Sequence, residues 1–254
     1  MEKILSKKNE RVKQWKKLLT RKGRITAGAY LIEGSHMVEE AIKHQAPVRE
    51  YILSETIAQE DKNKYPHDKL YIVSKEIAQT ISETGTNQGF FAVVEIKEPT
   101  KPETPEKPYL LLDQVQDPGN VGTMIRTADA AGFAGVILGS GTVDLYNSKV
   151  LRSTQGSHFH FPVFQNDLGE WFDWFKDEHV PVYGTELNKD AASYREIPAA
   201  SRFALVMGNE GNGMNRKWLE RTDKNLYIPI EGNAESLNVA VAAGILMFAL
   251  YQQN

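Results

Sequence analysis

The sequence predicts an α/β protein of two domains, on three observations. Apolar strand-like runs alternate with helical segments along the chain. One stretch with four prolines, Glu98-Pro-Thr-Lys-Pro-Glu-Thr-Pro-Glu-Lys-Pro108, interrupts the alternation and reads as an extended, semi-rigid linker. Beyond it, three polar, glycine-bearing stretches each lie where a strand-like run meets a turn or helix start: 117–126, 207–213 and 228–239. Ligands of open α/β sheets bind at that edge, so three such edges in one domain imply a single composite site. The expected division is residues 1–97, a linker over 98–108, and 109–254.

In the first domain a basic helix is expected over about 4–19, then an extended stretch at Tyr30–Glu33 and a helix from Ser35 to His44. Strands follow at Val48–Leu53, Leu70–Ser74 and Phe90–Ile96, with a short helix over 75–83 before the last. In the second, Tyr109–Leu112 reads as a buried strand and Asn120–Ala131 as a helix closed by Gly132, the residue suited to a left-handed C-cap. Gly135–Leu138 is the next strand, with helices near Ser148–Gly156 and Glu170–Glu178. Further strands are read at Val180–Thr185, Phe203–Val206 and Leu226–Ile230. The closing helix, Asn238–Gln252, is apolar on almost every face, so it must be covered by the sheet and by a second subunit.

Composition narrows the classes. No run reaches the ~18 apolar residues of a membrane span, and the start MEKILSKKNE has no signal-peptide core. The absence of cysteine excludes disulfides and thiolate metal sites; a cytoplasmic protein is expected. The net charge of −3 hides an asymmetry: residues 1–24 carry ten Lys/Arg against Glu2 and Glu10, whereas 109–254 hold 11 Lys/Arg and 17 Asp/Glu. Such a basic arm suits a polyanion, and Trp15 with the Arg21-Lys22-Gly23-Arg24 cluster favours RNA; a solvated helix is the plain alternative. No phosphate loop and no GxGxxG follows a strand. His158-Phe-His160 lacks a third ligand, so no metal is expected.

Taken singly, the three stretches have ordinary explanations. Asn120 is suited to cap a helix. Arg126, at about 600° of helical rotation from it, lies in an otherwise apolar helix and must find anions or carbonyls; Asp129 or Asp144 would serve. Gly208, Gly211 and Gly213 bring backbone close to a ligand or another segment, and Ser236 reads as an N-cap.

In combination and order, the stretches resemble the SpoU (TrmH) family of RNA ribose 2′-O-methyltransferases in the SPOUT superfamily. The resemblance covers about 109–254 through Asp117-Pro-Gly-Asn-Val-Gly…Arg126-Thr-Ala-Asp-Ala-Ala-Gly132, Leu205-Val-Met-Gly-Asn-Glu-Gly211 and Ile228-Pro-Ile…Glu235-Ser-Leu-Asn-Val239. Leu31-Ile-Glu-Gly34 and Asn87-Gln-Gly-Phe-Phe-Ala-Val93 are similar, more loosely, to the substrate-binding module often fused to such enzymes. The resemblance implies a C-terminal α/β-knot domain, with a deep trefoil knot, behind a smaller N-terminal α/β domain. It implies S-adenosylmethionine as cofactor, held largely by backbone at Gly208, Ile228 and Leu237. It implies a homodimer with the closing helix at the interface. Arg126 matches the residue assigned to activating the ribose hydroxyl, and Asn120, Glu210, Ser236 and Asn238 match polar positions that orient it. Arg152 is the candidate for an RNA phosphate. The expected activity is methyl transfer to a ribose 2′-hydroxyl, in ribosomal rather than transfer RNA, with neither DNA nor a membrane as partner. Base methylation and a catalytically silent RNA-binding factor are the alternatives, with a dinucleotide oxidoreductase behind them.

Overall fold

The computed structural model describes residues 1–186 and 190–252, apart from the side chains of Glu60 and Asp61. In chain order the first elements are β1 (Glu2–Ile4), α1 (Glu10–Leu18), α2 (Arg21–Ala27), β2 (Ala29–Glu33), α3 (Ser35–Lys43) and β3 (Val48–Ser54). Next come α4 (Glu55–Asp61), β4 (Leu70–Val73), α5 (Lys75–Ile81) and β5 (Phe90–Glu95). After the proline-rich segment the chain continues with β6 (Tyr109–Leu112), α6 (Pro118–Ala131), β7 (Gly135–Leu138), α7 (Ser148–Thr154), β8 (Val163–Gln165) and α8 (Leu168–Asp177). It closes with β9 (Val182–Thr185), β10 (Ala192–Ser193), β11 (Ala204–Met207), α9 (Arg216–Leu219), β12 (Lys224–Tyr227) and α10 (Val239–Leu250).

Contacts divide the chain into two compact units, 1–97 with 146–160, and 98–145 with 161–254. The first unit is a five-stranded mixed sheet in the order β1-β4-β3-β5-β2. Successive side chains of a strand point to opposite faces, and here they do so apart from a register shift between Val48 and Glu50 of β3. Tyr30, Ile32, Tyr51, Leu53, Ala92 and Val94 pack with Met37, Val38 and Ala41 of α3 on one face. Ala29, Ile52, Phe91 and Val93 pack with Val12, Trp15 and Leu18 of α1 and Ile77, Ala78 and Ile81 of α5 on the other. Leu151 of α7 joins the first of these clusters, with Tyr146 and Phe159 against it. Segment 146–160 therefore counts with the first unit, where the sequence reading set it within 109–254.

The N-terminal helix begins later than expected. Residues 2–4 pair in parallel with Tyr71–Val73 of β4. Asn9 caps α1 by accepting from the Arg11 backbone amide at 2.9 Å. Thr20 then starts α2, accepting from Gly23 N at 3.1 Å, so one expected helix becomes a strand and two helices.

The second unit holds a seven-stranded, wholly parallel sheet in the order β10-β12-β9-β11-β6-β7-β8. Strands covered on both faces should be continuously apolar, and β6, β7 and β11 are buried at every position. One face is filled by Trp171, Phe172 and Phe175 of α8 and by Trp218 of α9. On the other, α6 and α10 pack against each other, α6 reaching β7 and α10 reaching β11. The third expected strand, 226–230, lies at 224–227, because Pro229 has no amide to give a ladder. The proline-rich segment forms neither helix nor strand and is pinned by Trp174: Lys101 Nζ sits 4.3 Å from the Trp174 ring centroid, and Trp174 Nε1 donates to the Glu103 carbonyl at 3.3 Å.

His158 is the one histidine pressed into the first unit. Thr154 Oγ1 donates to the Leu151 carbonyl at 2.7 Å, so at 3.0 Å it accepts from His158 Nδ1–H. The opposite nitrogen, Nε2, is enclosed without a partner although the residue as a whole is only half-buried. Burial first, and repulsion from His160 second, push its pKa down to about 3. Below the ordinary value near 6.5 the unfolded chain takes up this proton and the folded one does not. Stability is therefore intact above that value and falls as the pH drops toward the folded one. Between pH 7.5 and pH 5, denaturant titration of the wild type should lose about 2 kcal/mol more stability than the same titration of His158→Gln. Equal losses would show that this ring does not carry the acid sensitivity.

Candidate cofactor and catalytic site

All three sequence motifs emerge at the C-terminal edge of the parallel sheet, after β6, β11 and β12. The loop after β6 ends in Asp117, which caps α6 by accepting from Asn120 N at 2.9 Å, with Pro118 at the first helical turn. Asn120 was expected to be the cap. With Asp117 in that role, the Asn120 side chain projects from the first turn and is available to neighbours. Gly132 closes α6 at φ 82°, the left-handed conformation its lack of Cβ permits.

After β11, residues 208–214 double back tightly. Asn209 N donates to Gly213 O at 2.9 Å and Gly213 N returns to Asn209 O at 3.0 Å. A Cβ on Gly208 would lie 2.2 Å from Met214 N, so no other residue fits without moving backbone. The glycine need is met by the two limbs of one loop. Buried Asp113 holds the far limb, accepting from Asn215 N at 2.6 Å, and Asn209 Nδ2 donates to Gln114 O at 2.8 Å.

This loop presents Glu210 to the start of α6. Its carboxylate accepts from Asp117 N at 2.9 Å, Gln116 N at 3.1 Å and Asn120 Nδ2 at 3.1 Å. Partial burial pushes the Glu210 pKa up, but the Asn120 amide and the two backbone amides outweigh it and hold the carboxyl below the usual range. Asn120 Oδ1 in turn accepts from Asn238 Nδ2 at 2.9 Å. Asn238 caps α10, its Oδ1 accepting from Ala240 N and Val241 N. The cap expected at Ser236 is thus two residues further on. One continuous chain of hydrogen bonds, Asn238 to Asn120 to Glu210, ties the three motifs together.

Beside this clasp lies a cavity of about 570 Å³, within the roughly 300–1,000 Å³ of small-molecule sites. Gly208, Ile228 and Leu237 line it, as do Glu210 and Ser236. Its walls are mainly apolar, from Met207, Leu226, Ile230, Val239, Ala242 and Leu246. Apolar walls broken by strand-end backbone at 207–208 and 226–229 suit a nucleoside: the side chains can sandwich a base while main-chain N–H and C=O groups read its edge. Thr185, Glu186 and Tyr227 also line the cavity and were not singled out from sequence. The same strand-end rule applied to Val182–Thr185 would have found the first two.

Arg126 stands apart from this cavity. It is exposed on α6, along with Thr123 and Ala130, and has no hydrogen bond or ion pair among the described residues. The buried, paired arginine expected from its apolar neighbours is therefore not what the helix presents: Val121, Met124, Ile125 and Ala128 take the core side and position 126 faces out. On α10, Val241 and Phe248 are 53% and 63% exposed, and Leu237 just before it is 37% exposed. Arg152 is half-buried in a narrow cleft of the first unit that Glu33 and Glu83 also line. Those carboxylates make it a poor seat for a phosphate.

The basic arm is partly architecture. Trp15 is 2% exposed and donates Nε1–H to Glu50 at 2.6 Å, so it is no stacking platform. Arg11 pairs with Glu50 at 2.5 Å, Lys7 with Glu76 at 3.3 Å, and buried Arg24 donates to the Leu18 carbonyl at 3.0 Å. Lys16, Lys17, Arg21 and Lys22 remain exposed along α1 and α2.

Comparison with known proteins agrees with this geometry. A profile described as the SpoU rRNA Methylase family matches residues 107–248, and one described as an MRM3-like substrate binding domain matches residues 9–92. The chain is 49% identical to the 23S rRNA (guanosine(2553)-2′-O)-methyltransferase RlmP of Bacillus subtilis, over 98% of this chain and 99% of that one. Among solved structures it is similar to an AdoMet-bound rRNA methyltransferase from Sinorhizobium meliloti, with TM-score 0.86 and 29% identity over 98% and 96% of the two chains. It is also similar to the SpoU methyltransferase AviRb of Streptomyces viridochromogenes in complex with AdoMet, with TM-score 0.83, 27% identity, and coverage of 96% and 97%.

Gly208→Ala should disrupt the loop on which Glu210 and the cavity wall depend. Calorimetric titration with S-adenosylmethionine is expected to show affinity reduced at least about tenfold, since the displaced groups line the cavity. Wild-type affinity in this variant would show that the close approach of Gly208 to Met214 is incidental to binding.

Proposed function

The chain belongs to the SpoU rRNA methylase family, and from that membership we propose that it transfers a methyl group from S-adenosylmethionine to a ribose 2′-hydroxyl of ribosomal RNA. The observation that carries this reading is the cavity at 207–246 joined to the Asn238–Asn120–Glu210 clasp. A nucleoside site thereby adjoins fixed polar groups. The identity of 49% to an enzyme named for guanosine 2553 of 23S rRNA favours a large-subunit guanosine as target. Ribosomal RNA as substrate sets the work in the cytoplasm.

The cofactor, when bound, supplies a methyl group on a sulfonium that is already activated. Transfer of that methyl to the ribose oxygen would leave the carbon–sulfur bonding pair on sulfur and release the hydroxyl proton to solvent. The protein must align the hydroxyl and stabilise the alkoxide that develops. Arginine is a poor base, its pKa above ~12, but a strong electrostatic partner for oxyanions. Arg126 has this role in our reading, with Asn120, Glu210, Ser236 and Asn238 fixing the substrate-side geometry and Gly208, Ile228 and Leu237 the cofactor.

Because Arg126 does not line its own cavity, a second copy of the chain completes the site. The exposed Val241 and Phe248 of α10 form the dimer face, and α6, packed on α10, carries Arg126 to the partner. The loop-bearing edge around 208–238 is read as a trefoil knot, as the resemblance of its three motifs to the SpoU family implies.

Labelled methyl transfer to total RNA from a strain lacking the protein, followed by alkaline mapping, tests the activity, since 2′-O-methylation blocks cleavage at the modified position. Arg126→Ala should lower that transfer by about a hundredfold or more while S-adenosylmethionine affinity stays near wild type. Undiminished transfer would remove Arg126 from the mechanism. For RNA binding, truncating the arm would remove core residues Val12, Trp15 and Leu18, so neutralisation is the better test. Combined Lys16→Gln, Lys17→Gln, Arg21→Gln and Lys22→Gln should leave the circular dichroism unchanged and make the salt dependence of RNA affinity shallower by up to about 4 in log–log slope. An unchanged slope would mean that this face only meets water.

A further inference from the structure

The first unit has an open cavity of its own, of about 640 Å³, walled by α1 and α2 and by residues of β2, β3 and β5. Its floor is apolar, from Leu18, Ala29 and Val93, which belong to the core on that face of the sheet. Its rim is cationic: Lys17, Lys22 and Arg49 line it, against Glu50 as the one carboxylate among the described lining residues. That carboxylate is already met, by Arg11 at 2.5 Å and by Trp15 Nε1 at 2.6 Å. Arg49 is held in place, donating to the Ala27 and Gly28 carbonyls at 2.9 and 3.2 Å and sharing its charge with Glu95 at 3.4 Å. The two lysines flank a fixed corner between the helices. There the Thr20 hydroxyl donates to the Lys17 carbonyl at 2.9 Å and accepts from Gly23 N at 3.1 Å. Lys16 and Arg21, also exposed, carry the positive charge beyond the cavity along the same two helices.

We propose that this cavity seats one unpaired nucleotide of the RNA substrate, its base on the apolar floor and its flanking phosphates on Lys17 and Lys22. The proposal rests on the RNA reading above and adds a recognition site that belongs to the first unit alone. A polyanion by itself needs only a cationic face, because the phosphates of a duplex lie on its outside and are met without any recess. An apolar-floored recess beside such a face gains nothing from a duplex, whose bases are stacked and paired. It gains from a base that has left the stack, whose apolar faces leave water as they enter. A free nucleotide would fill the recess but leave the charge at Lys16 and Arg21 unused, so the arrangement suits a polymer. The chemistry is that of an RNA bulge or loop, read by shape together with charge.

Ala27→Trp and Gln14→Trp test this, since each brings a large side chain to the recess from an exposed lining position, on α2 and α1 respectively, and leaves every cation in place. The probes are an RNA duplex and the same duplex carrying one bulged nucleotide, with affinities measured over a range of salt concentrations. The wild type should bind the bulged duplex at least about fivefold more tightly than the plain one. Both variants should bind the two duplexes equally and keep the wild-type salt slope, because the phosphates are still met. A preference kept by either variant would overturn the proposal. So would a wild type indifferent to the bulge, or a preference lost only together with the salt slope. A wild type that binds neither duplex nor ribosomal RNA would instead refute the RNA reading itself.

Discussion

The hydrogen-bonded path from Asn238 through Asn120 to Glu210 is the interaction on which the second unit depends. It joins three loops that are neighbours only because parallel strands deliver them to one edge of the sheet. None of those loops has a ladder of its own to hold it at that edge. Asparagine suits the middle of such a path because one amide both donates and accepts. Asn120 gives its N–H to a carboxylate and its oxygen to a second amide, and an aspartate there could do only the latter.

The helix caps follow from this arrangement. Asp117 takes the N-cap of α6 and releases Asn120 from it, while Asn238 caps α10 with one side-chain atom and reaches Asn120 with the other. The two helices that pack on the same face of the sheet are thereby coupled at their N-termini. The backbone amides of Gln116 and Asp117, at the start of α6, point at Glu210, in keeping with its lowered pKa. The cavity wall, the caps and the carboxylate thus form one assembly, in which the charge of Glu210 is met by the protein's own amides.

In the first unit, charge is spent differently. A sequence count gives an arm of +8 over residues 1–24, which suggests a surface devoted to a polyanion. Folding turns part of it inward: Arg11 and Arg24 meet a carboxylate and a carbonyl, and Trp15 fills the core beside Tyr71. The exposed cations of α1 and α2 are what remains for RNA. Charge totals cannot separate the two sets, since pairing depends on which face of the helix meets the sheet.

Much of the fold was legible in the sequence for local reasons. Continuous apolar runs at Tyr109–Leu112 and Gly135–Leu138 mark strands buried on both faces, and Gly132 marks a helix end, because these depend on neighbours in the chain. Short pieces such as β1, β10 and α2 escaped, since they exist by pairing with distant strands or by a single threonine cap. At the site, residue types and their order indicated a composite pocket, and the family resemblance of the motifs named Gly208, Glu210, Ile228, Ser236 and Leu237, all of which line one cavity. The tertiary structure decided what each group faces: that Asp117 rather than Asn120 caps α6, that Arg126 points outward, that Arg152 sits among carboxylates, and that Glu186 joins the cavity. Helical and strand periodicities fix only a side chain's direction relative to its own element. Its partners are set by how elements far apart in the chain come together, and that is a property of the folded whole.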